Sequence, residues 1–193
     1  MRTRLASIVA TSLLSFSALA HADTQIGASA DADDGPKNSI TFNPLEELVG
    51  LINVSYERAV TPRASVQIDL MGASASGTND QGNQASVGFF SATVQPHFYF
   101  GKRSLEGAYI APFLQVAALD AADSSGAGGT VSLVSSGATV GYSWLAGPVN
   151  IKLGAGPKVS MGSALAIDSK GNAERASGWG VGLTMDLSMG VAF

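Results

Sequence analysis

Cysteine is absent from the 193 residues, and charge is scarce: Asp, Glu, Lys and Arg make up 13% of the chain, against roughly 25% in an ordinary soluble domain. Without cysteine there is no disulfide framework, thiolate nucleophile or thiolate metal site. Aromatic residues are few, at 7%. Beyond the first twenty positions no run stays apolar for the roughly 20 residues that a membrane helix needs, so helical spans are excluded for the body of the protein. What the chain does have is 46% hydrophobic residues and 23 glycines. Something other than a charged surface must keep it dispersed.

Arg2 and Arg4 precede an apolar, hydroxyl-bearing stretch from Leu5 to Ala20, and Ala20-His21-Ala22 offers small residues at the −3 and −1 positions of a cleavage site. Residues 1–22 are therefore expected to be a signal peptide cut after Ala22; the stretch is short and holds five Ser or Thr, unlike a retained anchor. Losing Arg2 and Arg4 moves the formal charge from −4 to −6. An exported acidic chain is no partner for nucleic acid. Residues 23–37 (DTQIGASADADDGPK) carry four Asp, no aromatic residue and a Gly-Pro break, the composition of a flexible acidic leader that cannot bury enough apolar surface to order itself.

From Ser39 onward the period is two. Between Gly178 and Phe193 every odd position is apolar (Trp179, Val181, Leu183, Met185, Leu187, Met189, Val191, Phe193) and every even one is small or polar. Sixteen residues of alternation far exceed the five or six of a usual soluble strand. The same design recurs with Val149, Ile151, Leu153 and Val159 against Asn150, Lys152, Gly154 and Lys158, and with Ala138, Val140, Tyr142 and Trp144 against Gly137, Thr139, Gly141 and Ser143. Phe90, Val94, Pro96 and Phe98 oppose Ser91, Gln95, His97 and Tyr99; Val66, Ile68 and Leu70 oppose Gln67, Asp69 and Met71. Ala108 to Ala118 is apolar on both faces, with Ile110, Pro112, Leu114 and Val116 expected outside and Tyr109, Phe113 and Gln115 inside.

In a soluble β protein the bulky face is the interior, and Lys, Glu and Thr cover the outside. Here the other face is Gly and Ser, too poor in charge to serve as that outside. A lipid-facing exterior around a tight interior fits better, and strands in lipid must close on themselves to satisfy their backbone. Short connectors (Thr61-Pro62-Arg63, Gly101 to Gly107, Leu145 to Pro148) alternate with longer polar ones (Ser74 to Gln84, Ala121 to Gly129, Ala164 to Ser177), as in an outer-membrane barrel with short periplasmic turns and longer extracellular loops. Tyr56, Tyr99, Phe100, Tyr142 and Trp144 sit beside the short turns, where an interfacial girdle belongs. Seven strong segments plus the parity of crossings call for an eighth strand at Ser39-Ile40-Thr41-Phe42, turning at Asn43 to Glu47 before a strand from Leu48 to Val60; one long bent strand over 38–60 is the alternative. The expected fold is an all-β, transmembrane, antiparallel up-and-down barrel of eight strands spanning residues 38–193.

The terminal Phe193 behind alternating Val191, Met189 and Leu187 resembles the C-terminal signature by which bacterial outer-membrane proteins are recognised for assembly. Asn43-Pro44-Leu45, Asn53-Val54-Ser55-Tyr56-Glu57-Arg58 and Tyr109 to Leu114 resemble a family of uncharacterised small outer-membrane barrels, kin in architecture to the barrel of outer-membrane protein A and to outer-membrane proteins W and X. The resemblance implies a Gram-negative outer membrane, with its lipid and its assembly machinery as partners, and implies no activity.

Chemistry is sparse. His97 is the single histidine of the exported chain, and one histidine makes no metal site without well-placed carboxylates. Ser91 lies six residues away on the same strand face, about 20 Å at the usual rise, so no Ser–His pair forms within that strand. A serine on another strand could reach it. No phosphate-cradling loop is present, because no helix follows the repeats Gly154, Gly156 or Gly178, Gly180, Gly182. No cofactor, metal or catalytic residue is expected. Five charges fall on the inner parity, Glu57, Asp69, Lys152, Lys158 and Asp186, and should pair or meet water, with Asp186 lying in height between the two lysines and within reach of either. The expected role is structural or surface interaction by a monomeric barrel. A narrow channel and a lipid-modifying enzyme using His97 are the alternatives.

Overall fold

The computed structural model describes residues 35–78 and 84–193; the expected signal peptide and most of the acidic leader lie outside them. The order is β1 (Asn38–Phe42), α1 (Pro44–Leu48), β2 (Ile52–Thr61), β3 (Ala64–Thr78), β4 (Gln84–Tyr99), β5 (Gly107–Asp123), β6 (Gly128–Ala146), β7 (Val149–Ile167) and β8 (Ala173–Ala192). Each strand pairs antiparallel with the next, and β8 returns to β1, closing an eight-stranded ring. Closure is tied at its seam by Phe193, whose carbonyl accepts from the amides of Lys37 and Asn38 and whose amide donates to Asn38.

The faces of β3 through β8 follow the parity of the sequence. Inside, Ser65, Gln67, Ser91, Gln95, Ser135, Thr139 and Ser143 are buried, whereas Phe90, Val94, Phe98, Leu114, Val140 and Leu153 are exposed outside. Polar residues form the core and apolar ones the surface. Glycine makes that narrow interior possible where a large side chain enters it: a Cβ on Gly154 would lie 2.7 Å from the Tyr109 hydroxyl, well inside contact distance.

Three local features depart from the sequence reading. The turn expected at Asn43 to Glu47 is one turn of helix, and β2 begins at Ile52 rather than Leu48, so residues 38–60 hold two strands rather than one bent strand. The reason is capping. The Asn43 side chain accepts from the Leu45 and Glu46 amides, Pro44 occupies the first turn, and Glu46 and Glu47 lie at its positive end. Second, the long loops are mostly strand: β5 runs to Asp123 before β6 resumes at Gly128, and β7 runs to Ile167 before β8 resumes at Ala173. Third, the segment between β4 and β5 folds inward at the short-turn end, burying Leu105 with a φ of 68°.

The hairpin tips are fastened by aspartate. Asp123 accepts from the Ser125 hydroxyl at 2.6 Å and from the Ser125 and Ala127 amides, and Asp168 accepts from Asn172 and Lys170. These bonds, led by the Ser125 hydroxyl for Asp123 and the Asn172 side chain for Asp168, hold both carboxyls below their ordinary range. A carboxylate depressed in the folded state stabilises above its unfolded value of about 3.9 and ceases to as pH falls through the folded one. Acidification below about pH 3.9 should therefore speed hydrogen exchange at the Ser125 and Asn172 amides before it affects the strands, and Asp123→Ala should do so at neutral pH for Ser125 alone.

The wall is uneven in height. β1 ends at Phe42, opposite Met189, and β2 begins at Ile52, opposite Gly72. Beyond those rungs, β8 from Ala173 to Ser188 keeps only β7 as a neighbour, and β3 from Ala73 to Thr78 keeps only β4, among the described residues. This leaves a lateral notch in the wall between β3 and β8. α1 packs against both β2 and β8 at its foot, with Leu45, Leu48 and Val49 exposed.

Candidate functional site

The lumen divides into a packed part near the short turns and a hollow part beyond it. The packed part centres on Glu57 of β2, buried at 1% exposure. Alternation aims it inward, and Lys152 on β7 reaches it from across the ring at 2.7 Å. The Ser65 hydroxyl donates to the same carboxylate, as does the Tyr99 hydroxyl at 2.7 Å, and His97 Nδ1 lies 3.5 Å away. Lys152 also donates to Gln67 Oε1. Each charge is thus both paired and hydrogen-bonded, the condition under which a buried ion pair is tolerated.

Aromatic rings complete the packing. His97 stacks on Tyr109 with centroids 4.8 Å apart, and Tyr99 leans on Tyr109 at 5.8 Å. Below them the Leu105 carbonyl accepts from the Ser143 hydroxyl at 2.6 Å and the Asn150 side chain at 3.2 Å. Leu105, Tyr109, His97, Asn150 and Lys152 are all fully buried. Together they form the buried core of this end of the lumen.

The hollow part holds a cavity of about 90 Å³. Asp69, Asp186 and Glu46 line it among amides and hydroxyls that include Gln67, Gln95, Gln115 and Thr139, and no Lys, Arg or His is part of its lining. Gln67 Nε2 donates to Asp69 at 2.6 Å and Gln95 to Thr139 at 2.8 Å. One oxygen of Asp186 and one of Glu46 are buried with no hydrogen-bond partner in the protein.

Of the five inward charges read from sequence, the structure joins two, Glu57 and Lys152. Asp186 lies opposite Gly154, between Lys152 and Lys158 in height, yet pairs with neither: Lys152 is turned across the lumen to Glu57. Lys158 is half-buried, with its stem beside Gly182 and no ion pair among the described residues. Asp69 and Asp186 belong instead to the cavity. Sequence reasoning missed Ser65, Gln67, Tyr99, Tyr109 and Leu105 as members of the packed part, and Glu46 as a member of the cavity. One signal was present: Tyr99 and Tyr109 share inner parity and prove to face each other in register.

Catalytic chemistry finds little support here. Ser65, Glu57 and His97 are neighbours, but the serine hydroxyl donates to the glutamate rather than the histidine, and all three are at most 1% exposed. No cluster of three metal-ligating side chains occurs among the described residues. No protein-family model and no curated protein sequence matches the chain.

Proposed function

We propose that the protein is a small integral barrel of a bacterial outer membrane, exported through its N-terminal segment, with a structural or surface-interaction role and no catalysis. One observation carries this reading: the exterior of the ring is apolar and its core polar. Phe90, Phe98, Leu114, Val140, Leu153, Leu183 and Met185 are each at least 46% exposed. A continuous apolar surface of this kind is unstable in water and at home in hydrocarbon. Closure of the strand ring answers, over the rungs that pair, the demand that backbone groups in lipid be satisfied internally.

The packed part speaks for a sealed barrel over a channel, because Tyr109, with His97 stacked and Tyr99 tilted against it, is fully buried beside the buried Lys152–Glu57 pair. The extended hairpins β3–β4, β5–β6 and β7–β8 are then the parts that project outside the cell. Membrane lipid is the principal partner, the assembly machinery meets the chain through β8, and the barrel works as a monomer.

Fractionation and conductance test the proposal together. The native chain should co-fractionate with outer membranes, shift on a gel when heated as folded barrels do, and give no current steps in planar bilayers. Tyr109→Ala combined with Leu105→Gly removes the packed side chains, and glycine accepts the left-handed backbone at 105. That variant should conduct. Current through the native protein equal to that through the variant, or recovery of the native chain from the soluble periplasm, would refute the proposal.

A further inference from the structure

Resting on the outer-membrane reading, we propose that the cavity and the notch together form a binding site for an amphiphile with a small cationic head and a linear alkyl tail. The head would sit among Asp186, Asp69 and Glu46, and the tail would leave the barrel sideways between β8 and α1.

Charge supplies the first argument. Three carboxylates line a cavity that no basic side chain lines, and the nearest lysine below is already held by Glu57 and Gln67. Buried carboxylate oxygens on Asp186 and Glu46 have no donor in the protein. An unpartnered carboxylate at membrane depth is costly, so it needs a cation or a hydrogen-bond donor. A primary ammonium brings one positive charge and three donors. A volume of about 90 Å³ suits such a head with a water molecule or two, each taking about 30 Å³.

The wall supplies the second argument. Met185 belongs to the lipid-facing parity of β8 and is 73% exposed, yet it also lines the cavity. Thr184 and Asp186 on either side of it line the cavity too, so the cavity lies against the stretch of β8 that has lost its β1 partner. Leu183 and Met185 on β8 and Leu48 and Val49 beside it on α1 and its cap are exposed apolar groups, at 73–82%. An alkyl chain laid between them would cover apolar surface and shield the free edge of β8. The chemistry is therefore split as an amphiphile is split, polar and anionic within, apolar without. A second copy of the chain added to the β8 edge would cover the notch but leave the carboxylates unanswered.

The test uses the exported chain refolded in nanodiscs of zwitterionic phospholipid, with a dodecylammonium probe carrying a photoreactive diazirine beside its head. Crosslinked residues are mapped by mass spectrometry. Label should concentrate on Thr184 to Asp186 and on cavity residues such as Met71 and Gln115. Unlabelled dodecylammonium should displace it, while dodecyl sulfate and methylammonium at equal concentration should not. Asp186→Asn should reduce cavity labelling at least fivefold, and Gly182→Trp, which crowds the inner face of β8 against the Lys158 stem beside the notch, should do the same without removing a charge. Heat-shift on a gel confirms for every variant that the barrel is folded, so a failure of the site is told apart from a failure of the barrel. Label spread over lipid-facing residues and unchanged in Asp186→Asn would overturn the proposal, as would displacement by methylammonium alone, or a crosslinked dimer joined through β8.

Discussion

Lys152→Met should destabilise the barrel by about 3–5 kcal/mol in lipid vesicles, because it strands the Glu57 carboxylate where neither water nor another cation reaches it. Both partners are at most 1% exposed and 2.7 Å apart. Glu57→Gln should cost a comparable amount by leaving the buried ammonium with neutral amide oxygens to accept from it and no counter-charge. The double variant should recover much of the loss, since a neutral pair of similar volume needs no counter-charge. Urea unfolding of the four proteins gives the coupling directly. Additive losses would mean that the two charges are independently solvated, and the sealed lumen would then be wrong.

Leu114→Arg and Gln115→Arg differ by one residue in sequence and by a full face of the wall. Leu114 is 50% exposed outside mid-strand on β5, which is paired on both edges, while Gln115 lines the acidic cavity. If lipid surrounds the barrel, arginine at 114 should cost about 2–4 kcal/mol, whereas at 115 it meets carboxylates and should cost little. The sign of the difference matters more than its size. Equal stabilities would show that the outer face meets water.

What the sequence reveals about the fold depends on how strongly the two faces of a strand contrast. Between Gly178 and Phe193 one face is wholly apolar and the other small or polar, so strand, parity and span are all legible. The hairpin extensions read as loops because the contrast between their two faces vanishes. Ala121-Ala122-Asp123 and Glu174-Arg175-Ala176 have no period, although their backbones continue the ladder. The α1 turn was legible in principle from Asn43-Pro44 and the acids at 46 and 47, and was passed over because five residues are too few to show a helical period.

The site was harder to read. Parity placed Glu57, Asp69, Lys152 and Asp186 inside correctly, but choosing partners required knowing which strands face each other across the ring. β2 and β7 are far apart along the wall, so the Lys152–Glu57 pair, 95 residues apart in sequence, follows from barrel diameter and strand stagger rather than from neighbouring registers. Reasoning from the β7–β8 ladder alone gave the right height for Asp186 and the wrong partner for Lys152. Leu105 escaped notice because nothing local tells a turn that leaves the barrel from one that folds into it.

A membrane barrel requires its outer face to meet lipid, and the chain carries its own two probes of that. Its only tryptophans are Trp144 and Trp179, both on the outer face at 47% and 76% exposure. Trp144 is in register with Ile151, which is in register with Met189, ten residues from Trp179 on β8. At about 3.4 Å per residue and a tilt near 40°, those ten residues rise roughly 26 Å along the barrel axis, and the two ladder steps of about 4.8 Å change the height by about 6 Å, which keeps the pair on the scale of a 25 Å apolar band with an aromatic girdle at each edge. Fluorescence of Trp144→Phe and Trp179→Phe in vesicles with bromine at shallow or deep acyl positions reads each probe alone. Both tryptophans should be quenched by lipid, the shallow bromines acting more strongly on each, and both should be shielded from iodide in the water. Strong iodide quenching of both, with no response to brominated lipid, would contradict the membrane barrel itself.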